Sequence, residues 1–79
     1  MTNSLLEKTS IHPSAVIHAT AEIGEGVIIG PNVVIGENVK IGNGTRIIAN
    51  AYIEHSEIGE NCTISPFTEF LGFPIVHMY

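Results

Sequence analysis

Seventy-nine residues allow one small domain, and eight Glu with no Asp, two Lys and one Arg leave it acidic at −5. That balance argues against nucleic-acid binding, which wants a basic face. No stretch approaches a membrane span and residues 1–10 hold no apolar core of signal-peptide length, so a cytoplasmic location is the default. A single cysteine excludes an internal disulfide framework.

In chain order, residues 1–10 are a polar lead-in with a short Leu5-Leu6 patch. From residue 11 the chain is periodic. Ile11, Ile17, Ile23, Ile29, Ile35, Ile41, Ile47 and Ile53 fall six apart, and after a slip of one residue Ile58 and Ile64 resume the grid. A period of six fits neither an α-helix nor a heptad. An even period does fit extended chain, whose side chains alternate between two faces. Two residues before most grid isoleucines stands a small one: Ala15, Ala21, Val27, Val33, Val39, Thr45, Ala51 and Cys62. That spacing puts both on one strand face. Cys62 therefore reads as a buried structural thiol.

Between these triplets lie turn-like segments such as Gly24-Glu25-Gly26, Gly30-Pro31-Asn32 and Gly42-Asn43-Gly44. Gly and Asn tolerate positive φ. Pro13, Pro31, Ala49 and Pro66 recur every third hexad, which marks one corner of a three-cornered coil. The expected fold is all-β: a triangular parallel β-helix of about three coils over residues 11–69, with residue i stacked on residue i+18. The slip at residues 53–57 shortens one corner or one face, and small Ser56 can then serve as the inward residue.

Folding by eighteen arranges the outward residues in columns. Val16, Val34 and Tyr52 form an apolar one, Glu22, Lys40 and Glu57 a charged one, and Ile28, Arg46 and Thr63 a mixed one. The apolar column reads as a self-association face. Residues 70–79 form an irregular apolar tail, where a solenoid would need a polar cap, so this end reads as a truncation point.

No catalytic constellation is visible in the residues. His12 and His18 sit at successive corners, too far apart to share a metal, and His55 lies in the shortened hexad. No metal site and no cofactor are expected. Gly24, Gly26 and Gly30 do not have dinucleotide-fingerprint spacing.

The hexad, aliphatic-Gly-x-Asn-small-x, resembles the left-handed β-helix of the hexapeptide-repeat acyltransferases. The general crossover rule would give a right-handed coil; the resemblance implies a left-handed one. The segment order Ile11-His12-Pro13-Ser14-Ala15-Val16-Ile17, regular hexads, Ile64-Ser65-Pro66-Phe67-Thr68 and a break at Leu71-Gly72-Phe73-Pro74 is similar to the start of the acyl-carrier-protein:UDP-N-acetylglucosamine O-acyltransferases. That resemblance implies 3-hydroxyacyl transfer to UDP-N-acetylglucosamine in lipid A synthesis, a cytoplasmic homotrimer, and acyl carrier protein and UDP-sugar as partners. The family's catalytic histidine has no counterpart here, so the chain is expected to be incomplete as a catalyst. After Pro74 the family's Gln, Asp and Lys are missing; His77, near the Asp position, is the one candidate substrate-binding residue. The alternatives are a non-enzymatic trimerisation or scaffold module, or another hexapeptide acetyltransferase.

Overall fold

The computed structural model describes residues 9–72. Eleven two-residue strands run through them: β1 (Ser10–Ile11), β2 (Val16–Ile17), β3 (Glu22–Ile23), β4 (Ile28–Ile29), β5 (Val34–Ile35), β6 (Lys40–Ile41), β7 (Arg46–Ile47), β8 (Tyr52–Ile53), β9 (Glu57–Ile58), β10 (Thr63–Ile64) and β11 (Glu69–Phe70). Each of the first eight pairs in parallel with the strand three places on. The first face is β1-β4-β7-β10, the second β2-β5-β8-β11 and the third β3-β6-β9. The result is a left-handed parallel β-helix of about three coils.

Every strand ends on its grid residue, because that side chain and the small residue two before it both point inward. Ile29, Ile35, Ile41, Ile47, Ile53, Ile58 and Ile64 are fully buried, with Val27, Val33, Val39, Thr45 and Cys62 filling the second row. Burying each isoleucine is worth about 2–3 kcal/mol. Ile17 stacks on Ile35 and Ile35 on Ile53, as the i+18 register requires. The first coil is more open: Ile11 is 43% exposed, and Ile17 and Ile23 are half-buried. Phe70 takes the grid position above Ile53, so the ladder extends one residue outside 11–69 at each end.

The glycines and asparagines of the corners divide two tasks that the sequence pattern merges. Positive φ falls on the residue just before the inward small one: Gly26, Asn32, Asn38, Gly44, Asn50 and Asn61. The glycine that follows a grid isoleucine serves close approach instead. A Cβ at Gly30 would overlap the Ile48 carbonyl oxygen of the next coil. In the first coil a hydroxyl residue replaces the Asn. There Ala15 N–H donates to His12 O at 2.9 Å and Ala21 N–H to His18 O at 3.0 Å, closing ordinary turns.

The slip is absorbed at the corner between the second and third faces. His55 alone stands above Glu37-Asn38. It adopts φ 49°, in the left-handed region like Asn38, and its N–H donates to Glu37 O at 2.8 Å. Ser56 is buried and donates to Glu54 O at 2.9 Å, filling the inward place as expected. Beyond it, Ile58 stacks on Ile41, seventeen residues back.

Candidate functional site

Three corners and three faces are the surfaces on which function can sit. The third face carries the charged column: Glu22 pairs with Lys40 and Lys40 with Glu57 across the ladder. Lys40 Nζ lies 3.9 Å from Glu22 Oε1, and both side chains are exposed. Such a pair contributes under about 1 kcal/mol, so this face is solvated rather than specific.

The corner between the second and third faces holds the densest polar cluster. His18 Nε2 is 3.9 Å from Glu37 Oε2, and His18 Nδ1 is 3.0 Å from Thr20 Oγ1. Carboxylate, imidazole and hydroxyl thus stand in the order a nucleophilic triad would need. Two observations identify it as a corner brace. The Thr20 backbone N–H donates to His18 Nδ1 at 3.1 Å, and Thr20 Oγ1 accepts the Asn38 N–H at 3.2 Å, so the hydroxyl is tied to the next coil. The same unit recurs at the preceding corner. There His12 Nδ1 takes the Ser14 N–H at 3.0 Å, and Ser14 Oγ accepts the Asn32 N–H at 2.9 Å. His55 joins the upper part of the stack, 3.2 Å from Asn38 Nδ2 through Nδ1. His12, His18 and His55 therefore serve corners. Among the described residues no three His, Cys or Glu side chains come together around a metal position. His77 lies outside the described residues.

The second face is different in kind. Val16, Val34, Tyr52 and Glu69 are successive ladder partners along it. Val16 is 59% exposed and Tyr52 41%, so an apolar stripe faces outward, as the sequence columns imply. The Tyr52 hydroxyl donates to Glu54 Oε1 at 2.8 Å. That bond, and then the Glu54 charge, raise the Tyr52 pKa above the ordinary 10.0, with Glu69 adding to the rise.

The adjoining corner, between the first and second faces, adds apolar side chains beside the His12–Ser14–Asn32 brace. Pro13, Pro31, Ala49 and Pro66 stack along it, beside exposed Ile48 and Phe67. Phe67 is 84% exposed with φ 63°. A left-handed φ costs an ordinary side chain about 1–2 kcal/mol. Its column below reads Asn50, Asn32, Ser14. The sequence columns passed over Phe67 because they followed only strand positions; the signal available was a bulky apolar aromatic where the other corners carry Asn, Gly, Ser, Thr or His.

No helix among the described residues is long and apolar enough to cross a membrane. No curated protein matches the chain. The GMPPB C-terminal domain family, a hexapeptide-repeat β-helix domain, matches residues 10–68, which is the whole ladder but for its last two strand residues. The chain belongs to the GMPPB C-terminal domain family of hexapeptide-repeat β-helices.

Proposed function

We propose that this β-helix is the assembly module of a cytoplasmic hexapeptide-repeat transferase, joining copies into a homotrimer through its second face. The observation that carries this reading is the outward Val16–Val34–Tyr52 column, exposed at Val16 and Tyr52 and half-buried at Val34, on a solenoid whose third face is charged. Contiguous exposed apolar surface marks contact sites. In solution the chain is expected at three times its 8.5 kDa mass, and Val34→Glu is expected to reduce it to one. A wild-type chain that sediments as a monomer overturns the reading.

The transferase we favour is the acyl-carrier-protein:UDP-N-acetylglucosamine O-acyltransferase of lipid A synthesis, of which these coils would be the N-terminal part. Its support is the segment order around Ile11-His12-Pro13 and Ile64-Ser65-Pro66-Phe67. In that enzyme a histidine general base deprotonates the accepting sugar hydroxyl, and this chain holds no counterpart of it. The chain alone is expected to turn over no 3-hydroxyacyl carrier-protein thioester with UDP-N-acetylglucosamine, and measurable transfer would contradict it.

A non-enzymatic trimerisation or scaffold module is the second reading, and the match to a hexapeptide-repeat β-helix domain is as consistent with it as with a transferase module. The coding sequence following Tyr79 separates the two. Further hexads with a histidine-bearing coil favour the acyltransferase, and a stop codon favours the scaffold.

A further inference from the structure

We infer that the proline corner of one copy docks on the second face of the next, with Phe67 as its anchor, an inference that rests on the trimer reading above. The argument begins with shape. Two patches meet when their outward normals are opposed. In a closed threefold ring the neighbour's patch is rotated by 120°, so the two patches must have normals 60° apart on a single copy. The faces of a triangular prism have normals 120° apart. A face therefore has no face to meet, and its partner must be an adjoining corner.

The second face adjoins two corners. The one toward the third face carries His18, Glu37, Glu54 and His55, and Glu37 is exposed. Burying it against the stripe would take the Glu37 carboxylate and its exposed His18 neighbour out of water, a cost that their 3.9 Å contact does not offset. The other corner is the proline column, with Ile48 43% and Phe67 84% exposed. The corner without carboxylates, where the prolines, Ile48 and Phe67 stand among His12, Ser14, Asn32, Asn50 and Ser65, thus meets the Val16–Val34–Tyr52 face, and the charged third face stays in water. A threefold axis parallel to the solenoid keeps coils at equal height. Phe67, one coil above Asn50, then lies level with Glu69 and can reach Tyr52 on the coil below. The left-handed φ of Phe67 belongs to the same account. An isolated coil gains nothing from a strained, bare aromatic at a position where Asn50 and Asn32 sit comfortably, whereas an interface gains a rigid apolar knob.

The test replaces the knob by the residue its column prefers. Phe67→Asn relieves the backbone and removes the anchor, so two readouts move in opposite directions. The expected result is a solution mass falling from three times 8.5 kDa to one, together with unchanged or raised resistance of the folded monomer to urea at low concentration. An unchanged trimer overturns the inference. So does a monomer whose circular dichroism shows lost strand structure, because Phe67 then served the fold. The second measurement is crosslinking of Val34→Cys/Ala49→Cys, with Cys62→Ala, by a short bis-maleimide. Covalent trimers on a denaturing gel support face-to-corner docking. Covalent dimers from Val34→Cys alone would show face on face and overturn it while leaving self-association intact. A wild-type monomer, by contrast, would remove the trimer reading itself.

Discussion

Thr45→Val puts the structure and the repeat pattern in direct opposition. Thr45 stands in the inward small row, where Val27, Val33 and Val39 already occupy equivalent places. By pattern alone valine is the better residue there. The structure gives the hydroxyl two bonds: Thr45 Oγ1 donates to Gly59 O at 2.7 Å and accepts the Cys62 N–H at 3.1 Å. Thr45 is itself fully buried. Valine removes both bonds and leaves the Cys62 N–H without that partner. Each lost bond costs roughly 0.5–1.5 kcal/mol net, more where the orphaned group stays dry. The added methyl returns about 0.8 kcal/mol at most. The expected balance is a loss of about 1–2 kcal/mol, or a melting temperature about 5–10 °C lower for a domain of this size. Thermal and urea unfolding followed by circular dichroism would measure it, with wild type and variant at one protein concentration because assembly adds to apparent stability. A Thr45→Val chain as stable as wild type would refute the reasoning, since it would mean that the corner over Gly59–Cys62 does not depend on the hydroxyl.

Three further outcomes follow from the same geometry. Gly30→Ala should destabilise far more than Gly36→Ala, since a Cβ at Gly30 runs into the Ile48 carbonyl whereas at Gly36 it first meets the Glu54 Cβ at 3.1 Å; equal urea midpoints would contradict the coil spacing. Ile35→Ala, in a fully closed coil, should cost about 3–4 kcal/mol, and Ile17→Ala, half-buried in the first coil, distinctly less; the reverse order would mean that the first coil is as closed as the second. In a Tyr79→Phe background, absorbance titration should show the Tyr52 phenol ionising above the ordinary 10.0, because the phenolate would lose its bond to Glu54 and face that carboxylate. The associated stability is present below pH 10.0 and lost as pH rises through the raised value. Glu54→Gln should lower the midpoint, and an unchanged midpoint would remove Glu54 as the cause.

Much of the fold was legible because the hexad repeats one decision. Once Ala15 and Ile17 point inward, Val33 with Ile35 and Ala51 with Ile53 follow, and the ladder register with them. Ser56 as the inward residue of the shortened hexad was legible for the same reason: it alone is small enough in its segment. Handedness was not legible from spacing, because a period of six closes a triangle in either sense. Nor was the division among glycines. Gly30 and Gly44 look alike in sequence, but one yields space to a carbonyl and the other adopts φ 74°. Thr45's two bonds were equally hidden. They depend on where the Gly59 carbonyl and the Cys62 N–H point after the slip, and spacing does not encode direction.

The candidate site was legible only in part, and the reason lies in what repetition constrains. Inward positions are held to isoleucine and small residues by the width of the triangle, so they carry fold and little else. Outward positions and corners are free, and individuality collects there. The Val16–Val34–Tyr52 column could be read because it keeps strand spacing. Phe67 breaks the rule of its own column, where Ser14, Asn32 and Asn50 precede it, and such breaks are where a repeat protein departs from self-similarity for a purpose. The corners above the first coil take a left-handed residue, and Asn supplies one cheaply. Keeping phenylalanine there sacrifices monomer stability, and a contact made only between copies would recover it. That is why the Phe67→Asn comparison weighs more than any core substitution: a core change lowers monomer and assembly together, whereas this one separates them.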